Sequence, residues 1–221
     1  MIYSIIPVKK NSDRVLNKNF RPIHNGQSLL DIKLQHLQKS KSIRKTFISS
    51  DYLKIKNLEK NNSKLEFVYR QKKYCNNIIS WSDMIYYVVK SLPCPNNSIL
   101  VWSHTTSPFF SRIDEAISKF KKSENKGYDS LFTSTKFNGF LLDSFLKPVN
   151  YQWGVWHKYS QYLSKYHTIN GALFVARKQT MLDAKYVIGK NPINFDCDNK
   201  ESIDIDNEDD FEYARYLLNK E

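Results

Sequence analysis

The sequence predicts a three-layer α/β domain with a mainly parallel sheet. Two observations carry the prediction. Short apolar runs alternate with segments whose apolar residues recur at helical spacing. Hydrophobic residues make up 41% of the 221, and aromatic ones 14%, which supplies a core and argues against disorder.

The elements follow in order. "MIYSIIPV" reads as a buried strand closing at Pro7. "SLLD" has the Ser-x-x-Asp form of a capping box at Ser28, and Leu30, Leu34 and Leu37 then share one helical face. "KTFISS" is a second strand, "YLKIKNLEK" a short helix, "LEFVYR" a third strand and "SWSDMIYYVVKSL" a helix. "SILVWSH" is a fourth strand. "SRIDEAISKF" repeats the capping pattern at Ser111 and Asp114, with Ile113, Ala116, Ile117 and Phe120 at helical spacing. "YDSLFTST" and "INGALFVAR" are further strands, and a last helix starts after Asp206 with Phe211, Ala214, Leu217 and Leu218 facing inward. The whole of residues 1–221 reads as one domain. Residues 137–166, aromatic-rich and weakly periodic, interrupt the alternation and are expected to be an excursion acting as a lid or a dimer contact.

Ligands of such sheets bind at the carboxyl ends of the strands, here the loops after Val8, Ser50, Tyr69 and Trp102. The chain carries 34 Lys and Arg against 22 Asp and Glu, yet its basic residues are scattered and form no nucleic-acid motif. An anionic small molecule explains a basic cleft as well, and no nucleic-acid partner is expected. No apolar run is long enough to span a membrane, and the N-terminus lacks the pattern of a signal peptide. Cys75, Cys94 and Cys197 have no metal-type spacing and fit reduced thiols in a cytoplasmic protein.

Two stretches carry chemistry. The loop "VKKNSDRVLNKNFRP" gathers Lys9, Lys10, Arg14 and Lys18 with Ser12, Asn17 and Asn19. These are the cations and small donors that a triphosphate needs, although a solvated basic loop has the same composition. It holds no glycine, and neither a P-loop nor a GxGxxG pattern is present. Toward the C-terminus, "ESIDIDNEDDFEYARYLL" lies in a stretch that concentrates nine carboxylates between Asp196 and Glu212. Such crowding asks for an offset, either a bound cation or a helix N-terminus. The Asp-x-Asp pair suits a hard divalent ion such as Mg²⁺, whereas Asn207 through Asp210 suit helix capping.

"IPVKKNSDRVLNKN" resembles the N-terminal signature of the acylneuraminate cytidylyltransferases, the CMP-sialic acid synthetases, at Ile6, Pro7, Ser12, Lys18 and Asn19. "VYRQ", "WSHTTSPFF", "INGALFV" and "SIDIDNEDDFEYA" resemble further motifs of that family in the same order. Lys9 stands where the family has Arg, Lys10-Asn11 where many members have Gly-Gly, and His104 where it has Gln. The resemblance implies a Rossmann-like nucleotidyltransferase fold and a homodimer. It also implies transfer of CMP from CTP to an acidic sugar or related acceptor, with release of pyrophosphate, for surface glycan synthesis. By the same resemblance Lys9, Ser12, Arg14, Lys18, Asn19, Arg70, Ser80 and His104 bind CTP, Lys18 and Asp206 are catalytic, and Asp204 and Asp206 hold Mg²⁺. The acceptor would meet Thr106, Tyr159, Gln161, Asn170 and Gly171, with Trp156 nearby. The paired arginines that grip a sugar carboxylate are replaced here by Lys165, His167 and Thr168, and losing bidentate clamps is not a conservative change. Two rival readings are a metal-dependent nucleotide-sugar glycosyltransferase and a non-catalytic nucleotide-binding relative.

Overall fold

The computed structural model describes residues 1–12 and 14–220. Strand β1 (Ile2–Pro7) is followed by a small ribbon, β2 (Pro22–His24) and β3 (Gln27–Ser28), and by helix α1 (Leu29–Lys39). Next come β4 (Lys45–Ser50), β5 (Leu65–Tyr69), α2 (Trp81–Ser91), β6 (Ile99–Ser103) and α3 (Ile113–Glu124). The chain ends with β7 (Ser130–Phe137), β8 (Tyr166–Arg177), α4 (Lys178–Ala184), β9 (Pro192–Asp196) and α5 (Glu208–Leu218).

Seven strands form one sheet in the order β5-β4-β1-β6-β8-β7-β9. Four of its six pairings are parallel; β8 runs antiparallel to both β6 and β7. The alternation of side chains along each strand feeds two cores. Ile6, Val101 and Val175 pack under α1 and α3, while Ile5, Trp102 and Phe174 pack under α2 and α4. A third cluster joins Leu29 and Ile32 of α1 to Ile205, Phe211 and Ala214. Among the described residues no helix is long and apolar enough to cross a membrane.

The caps divide in an instructive way. Ser28 forms the expected box with Asp31, and Asn207 forms one with Asp210. Ser111 does not: α3 starts after Arg112, with no side-chain cap. Asp114 instead accepts from the Ser40 hydroxyl at 2.6 Å and from the Lys41 and Ser42 amides at 3.0 and 3.3 Å. Three donors beyond the end of α1 outcompete one local hydroxyl. "YLKIKNLEK" is a 3₁₀ segment, Leu53–Asn61, in place of the expected helix. The sequence reading also left out β2, β3, α4 and β9, which are short elements placed by tertiary pairing. The excursion of residues 137–166 is the connection between β7 and β8, entered and left at the paired Phe137 and Tyr166.

Between β7 and β8 the register shifts. Phe132 pairs with Phe174, but Ser134 pairs with Ile169, so β8 carries a bulge over residues 170–173. Thr133 closes the gap with its hydroxyl, which donates to the Leu173 carbonyl and accepts from its amide at 3.2 and 3.0 Å. Gly171 sits in the bulge at φ +71°, a left-handed conformation that favours glycine.

Lys33 of α1 is fully buried and donates to the Ser107 and Phe110 carbonyls at 2.8 and 3.2 Å. A neutral amine has two N–H groups for those two carbonyls, and burial pushes its pKa down to about 7 from 10.5. Between those values the unfolded chain binds the proton more readily than the folded one, so stability rises with pH across that window. Urea midpoints measured from about pH 7 upward are expected to climb, by roughly a few kcal/mol in total, and Lys33→Met is expected to flatten the climb. An unchanged slope in the mutant would place the titrating group elsewhere.

Candidate active site

The carboxyl ends of β1, β5 and β6 surround a cleft of about 550 Å³. Lys9, Ser12, Arg14, Lys18 and Asn19 enter it from the loop after β1, Arg70 from the end of β5, and His104 and Thr106 from the loop after β6. Tyr74, Asn76, Asn77 and Trp81 complete its wall. It shares Cys75, Asn76 and Asn77 with an outer hollow lined by Lys10, Asp51, Tyr52 and Lys72. All four strand ends singled out in the sequence therefore border one continuous depression.

The loop after β1 contains no glycine and is held by side chains. Asn19 donates to the Lys9 carbonyl at 3.3 Å and accepts from the Thr105 hydroxyl at 2.6 Å. Both ends of this amide are engaged in bracing the loop to β6. Arg70, buried, donates to the Val8 carbonyl at 2.8 Å and through Nε to the Cys75 sulfur at 3.0 Å. Both acceptors are neutral and leave the charge of the guanidinium in place at the cleft wall.

Lys18 is only 7% exposed and donates to the Ile205 carbonyl. Burial lowers its pKa; Asp204 and Asp206 oppose that shift, and Arg14 adds to it. Ile205 is buried in the third core cluster, and its amide donates to the Thr106 carbonyl at 2.9 Å. With Ile205 turned inward, the flanking carboxylates point away from the core, the i, i+2 relation expected of extended backbone: Asp204 lines a neighbouring cleft, and Asp206 lies beside Arg14 at the first. Asp206 accepts from Arg14 at 2.6 Å. Asp204 bonds the Thr106 side chain, and its pKa is raised by loss of solvation and by the Asp206 charge. Two carboxylates flanking Lys18 fit a Mg²⁺ ion, which takes one or two protein carboxylates and completes its shell with phosphate and water oxygens. Among the described residues no group of three or more His, Cys, Asp or Glu side chains forms a self-sufficient metal site.

The other carboxylates of the acidic stretch have partners of a different kind. Glu201 forms a bidentate pair with Arg112, both contacts at 2.6 Å, and Glu208 pairs with Arg21. Asp210 accepts from the Asp206 and Asn207 amides at the start of α5. Arginines and a helix cap therefore absorb most of the crowding that the sequence concentrates there.

A second cleft, of about 470 Å³, adjoins the first through Trp81 and His104. Thr135, Thr168, Asn170 and Gly171 border it where the β7–β8 bulge opens the sheet, opposite Phe174, Tyr186, Ser202 and Asp204. His104 is the partition. Its Nε2 accepts from Trp102 Nε1 at 2.9 Å, so the proton of the neutral ring sits on Nδ1, which hydrogen-bonds the Gly171 backbone. Burial, with Lys33 and Lys18 nearby, pushes its pKa down to about 4. Both nitrogens are used in holding β6 against the bulge, which leaves the ring a positioning role.

Four residues expected at the site line neither cleft; one of them, Asp206, borders the first through its ion pair with Arg14. Ser80 caps α2, bonding the amide and carboxylate of Asp83 at 3.1 and 2.8 Å, so its hydroxyl is committed. Tyr159 and Gln161 are exposed on the excursion and line neither cleft of this chain. Conversely, Tyr74, Asn76, Thr135, Phe174 and Tyr186 border the clefts without having been singled out in sequence; only the Asn76-Asn77 pair after β5 offered a signal there.

Solved structures share this architecture. The chain is similar to a 4-diphosphocytidyl-2C-methyl-D-erythritol synthase from Anaerococcus prevotii, with TM-score 0.68 and 15% identity over 99% of this chain and 96% of that one. It is similar to a CMP:2-keto-3-deoxy-manno-octonic acid synthetase solved with CTP, with TM-score 0.66 and 10% identity over 99% and 98%. The Francisella tularensis 2-C-methyl-D-erythritol 4-phosphate cytidylyltransferase follows, with TM-score 0.65 and 16% identity over 97% and 98%. These identities establish a common fold. No match was found among curated protein sequences. The cytidylyltransferase family model matches residues 3–220, nearly the whole chain. The protein therefore belongs to the cytidylyltransferase family and is a nucleotidyltransferase.

Proposed function

We propose that the protein transfers CMP from CTP to a sugar-type acceptor with release of pyrophosphate, in a Mg²⁺-dependent reaction. The observation that carries the reading is the placement of buried Lys18 between a cation-lined cleft and the Asp204–Asp206 pair. The synthetase of like fold that was solved with CTP supports the choice of nucleotide. Lys9, Ser12 and Arg14 meet the triphosphate, and Arg70 adds a buried positive charge to the wall. An acceptor hydroxyl from the second cleft attacks the α-phosphorus in line. Its oxygen–phosphorus bond forms as the bond to the β-phosphate oxygen breaks, pyrophosphate departs and the hydroxyl proton passes to solvent. Little covalent chemistry is asked of the protein; positioning and charge stabilisation dominate. Lys18 faces the charge that develops on the phosphoryl oxygens. Mg²⁺ held by Asp204 and Asp206 would neutralise charge on the same oxygens when bound.

The excursion supports a homodimer. Phe145, Val155, Trp156 and Tyr159 are 80, 93, 73 and 75% exposed, an apolar and aromatic surface of the kind that interfaces cover. We further place the reaction in the cytoplasm, upstream of surface glycan assembly, on the strength of the sequence resemblance.

Thermal shifts with CTP, UTP, ATP and GTP, each with and without Mg²⁺, test the nucleotide half. CTP with Mg²⁺ is expected to raise the melting temperature most, corresponding to about 2.7 kcal/mol at a hundredfold excess over Kd. Asp206→Ala, which removes only an exposed ion pair from the fold, is expected to lose the Mg²⁺-dependent part. A preference for another nucleotide would refute the assignment.

In pyrophosphate-release assays on any acceptor that supports turnover, Lys18→Met is expected to lower kcat by about 10²–10³ while changing the CTP KM less. The wild-type rate is expected to fall on the alkaline side below pH 10.5, since the lowered pKa of Lys18 costs it its charge there. A raised CTP KM with kcat unchanged would make Lys18 a simple binding residue. Light scattering is expected to give twice the mass of one chain, and Val155→Asp with Trp156→Asp to give one; a wild-type monomer would make the excursion a lid.

A further inference from the structure

We infer that Lys33 is a further positioning residue for the reaction: from inside the core it holds the loop that both clefts share, and it takes up a proton when a triphosphate fills the first cleft. The inference rests on the reading that CTP binds there. The loop after β6 is where the parts of the site meet. The Thr105 hydroxyl holds Asn19, and with it the loop after β1. The Thr106 carbonyl takes the Ile205 amide, and the Thr106 side chain bonds Asp204. His104 bonds the Gly171 backbone and lines both clefts. Directly after these three residues, the carbonyls of Ser107 and Phe110, both buried, accept from Lys33 Nζ at 2.8 and 3.2 Å. One amine on α1 thus anchors the segment from which the other contacts spread.

The anchor suits a neutral amine while the cleft is empty. Two carbonyls match the two N–H groups of the neutral form, and burial disfavours the charged one. The third N–H of the ammonium has an acceptor in reserve, because Ser107 Oγ is buried without a hydrogen-bond partner. What the charged form lacks is an anion. Asp204 and Asp206 act on Lys18, and among the described residues no carboxylate acts on Lys33. Lys33 and Lys18 both act on His104, which lines the cleft and carries no negative charge, so the field of Lys33 reaches the cleft wall. Charge acts over many ångströms where water is excluded. A triphosphate in the first cleft supplies the missing anion: it favours the ammonium and is favoured by it to the same extent.

The test is calorimetric titration of the full chain with CTP and Mg²⁺ at pH 8 in Tris and in HEPES, whose ionisation enthalpies differ, so that the difference in heat counts protons. Lys33→Gln keeps two N–H donors but takes no charge, and Lys33→Met keeps neither. The wild type is expected to take up about 0.3 proton per CTP more than either variant. Its CTP affinity is expected to fall about fivefold from pH 7 to 9 relative to Lys33→Gln. In turnover, Lys33→Gln is expected to raise the CTP KM at pH 7 with kcat kept within about threefold, whereas Lys33→Met lowers kcat about tenfold. Equal proton uptake by the wild type and Lys33→Met overturns the inference even where Lys33→Gln does not fold, and no net uptake by the wild type overturns it without any variant. An unchanged kcat in Lys33→Met overturns the positioning role. Each of these leaves the CTP reading intact; failure of CTP to bind, read from the thermal shift, overturns both.

Discussion

The segment from Asp204 to Asp206 has to be pinned across the ends of β1 and β6 before there is a site at all. Ile205 does the pinning: its side chain is buried with Phe211 and Leu29, its amide bonds Thr106, and its carbonyl takes Lys18. One apolar residue between two acids thus fixes which way both carboxylates face. It also joins the loops after β1 and β6 to the helix that ends the chain. The cap of α5 reinforces the arrangement, because Asp210 takes the Asp206 amide as well as that of Asn207. Helix initiation and carboxylate placement are one structure, which is why a capping reading and a metal reading of the same residues do not compete.

A second constraint is the treatment of positive charge. Lys18, Lys33, Arg70 and Lys178 are buried, and each basic group donates to main-chain carbonyls: Ile205, Ser107 with Phe110, Val8, and Leu92 with Cys94. Carbonyl dipoles satisfy the donors without cancelling the charge. Two of the four, Lys18 and Arg70, line the first cleft, so positive charge is held there at the cost of desolvation, an arrangement suited to an arriving anion. The lowered pKa of His104, to which Lys33 and Lys18 both contribute, reports the same field.

Much of this was legible in the chain. Apolar runs and helical spacing located every long element, because burial on both faces of a sheet imposes them. The basic loop, Lys18 and the Asp-Ile-Asp motif could be read because phosphate and metal chemistry restrict residue types at close spacing. What escaped was set by tertiary competition. Asp114 left its expected cap for donors at the end of α1, and Ser80 took a cap in place of a ligand. Asn19 and His104 line the first cleft where ligand contacts were expected, and their polar atoms also brace the loops. Composition cannot distinguish an amide that meets a ligand from one that holds the loop meeting it.

The bulge in β8 shows how far a local irregularity reaches. Had β7 and β8 kept one register, Thr135 and Asn170 would lie in an unbroken ladder and the second cleft would be closed by paired backbone. The shift of three residues, tolerated because Gly171 adopts a left-handed conformation and the Thr133 hydroxyl replaces the missing partner, opens the sheet beside His104. His104 then closes the floor by tying Gly171 back to Trp102. The sheet therefore builds the first cleft from its parallel strand ends and the second from the fault in its antiparallel strand. One imidazole separates them, and Trp81 and His104 form the edge they share. Change at the bulge can then alter the second cleft without disturbing the first.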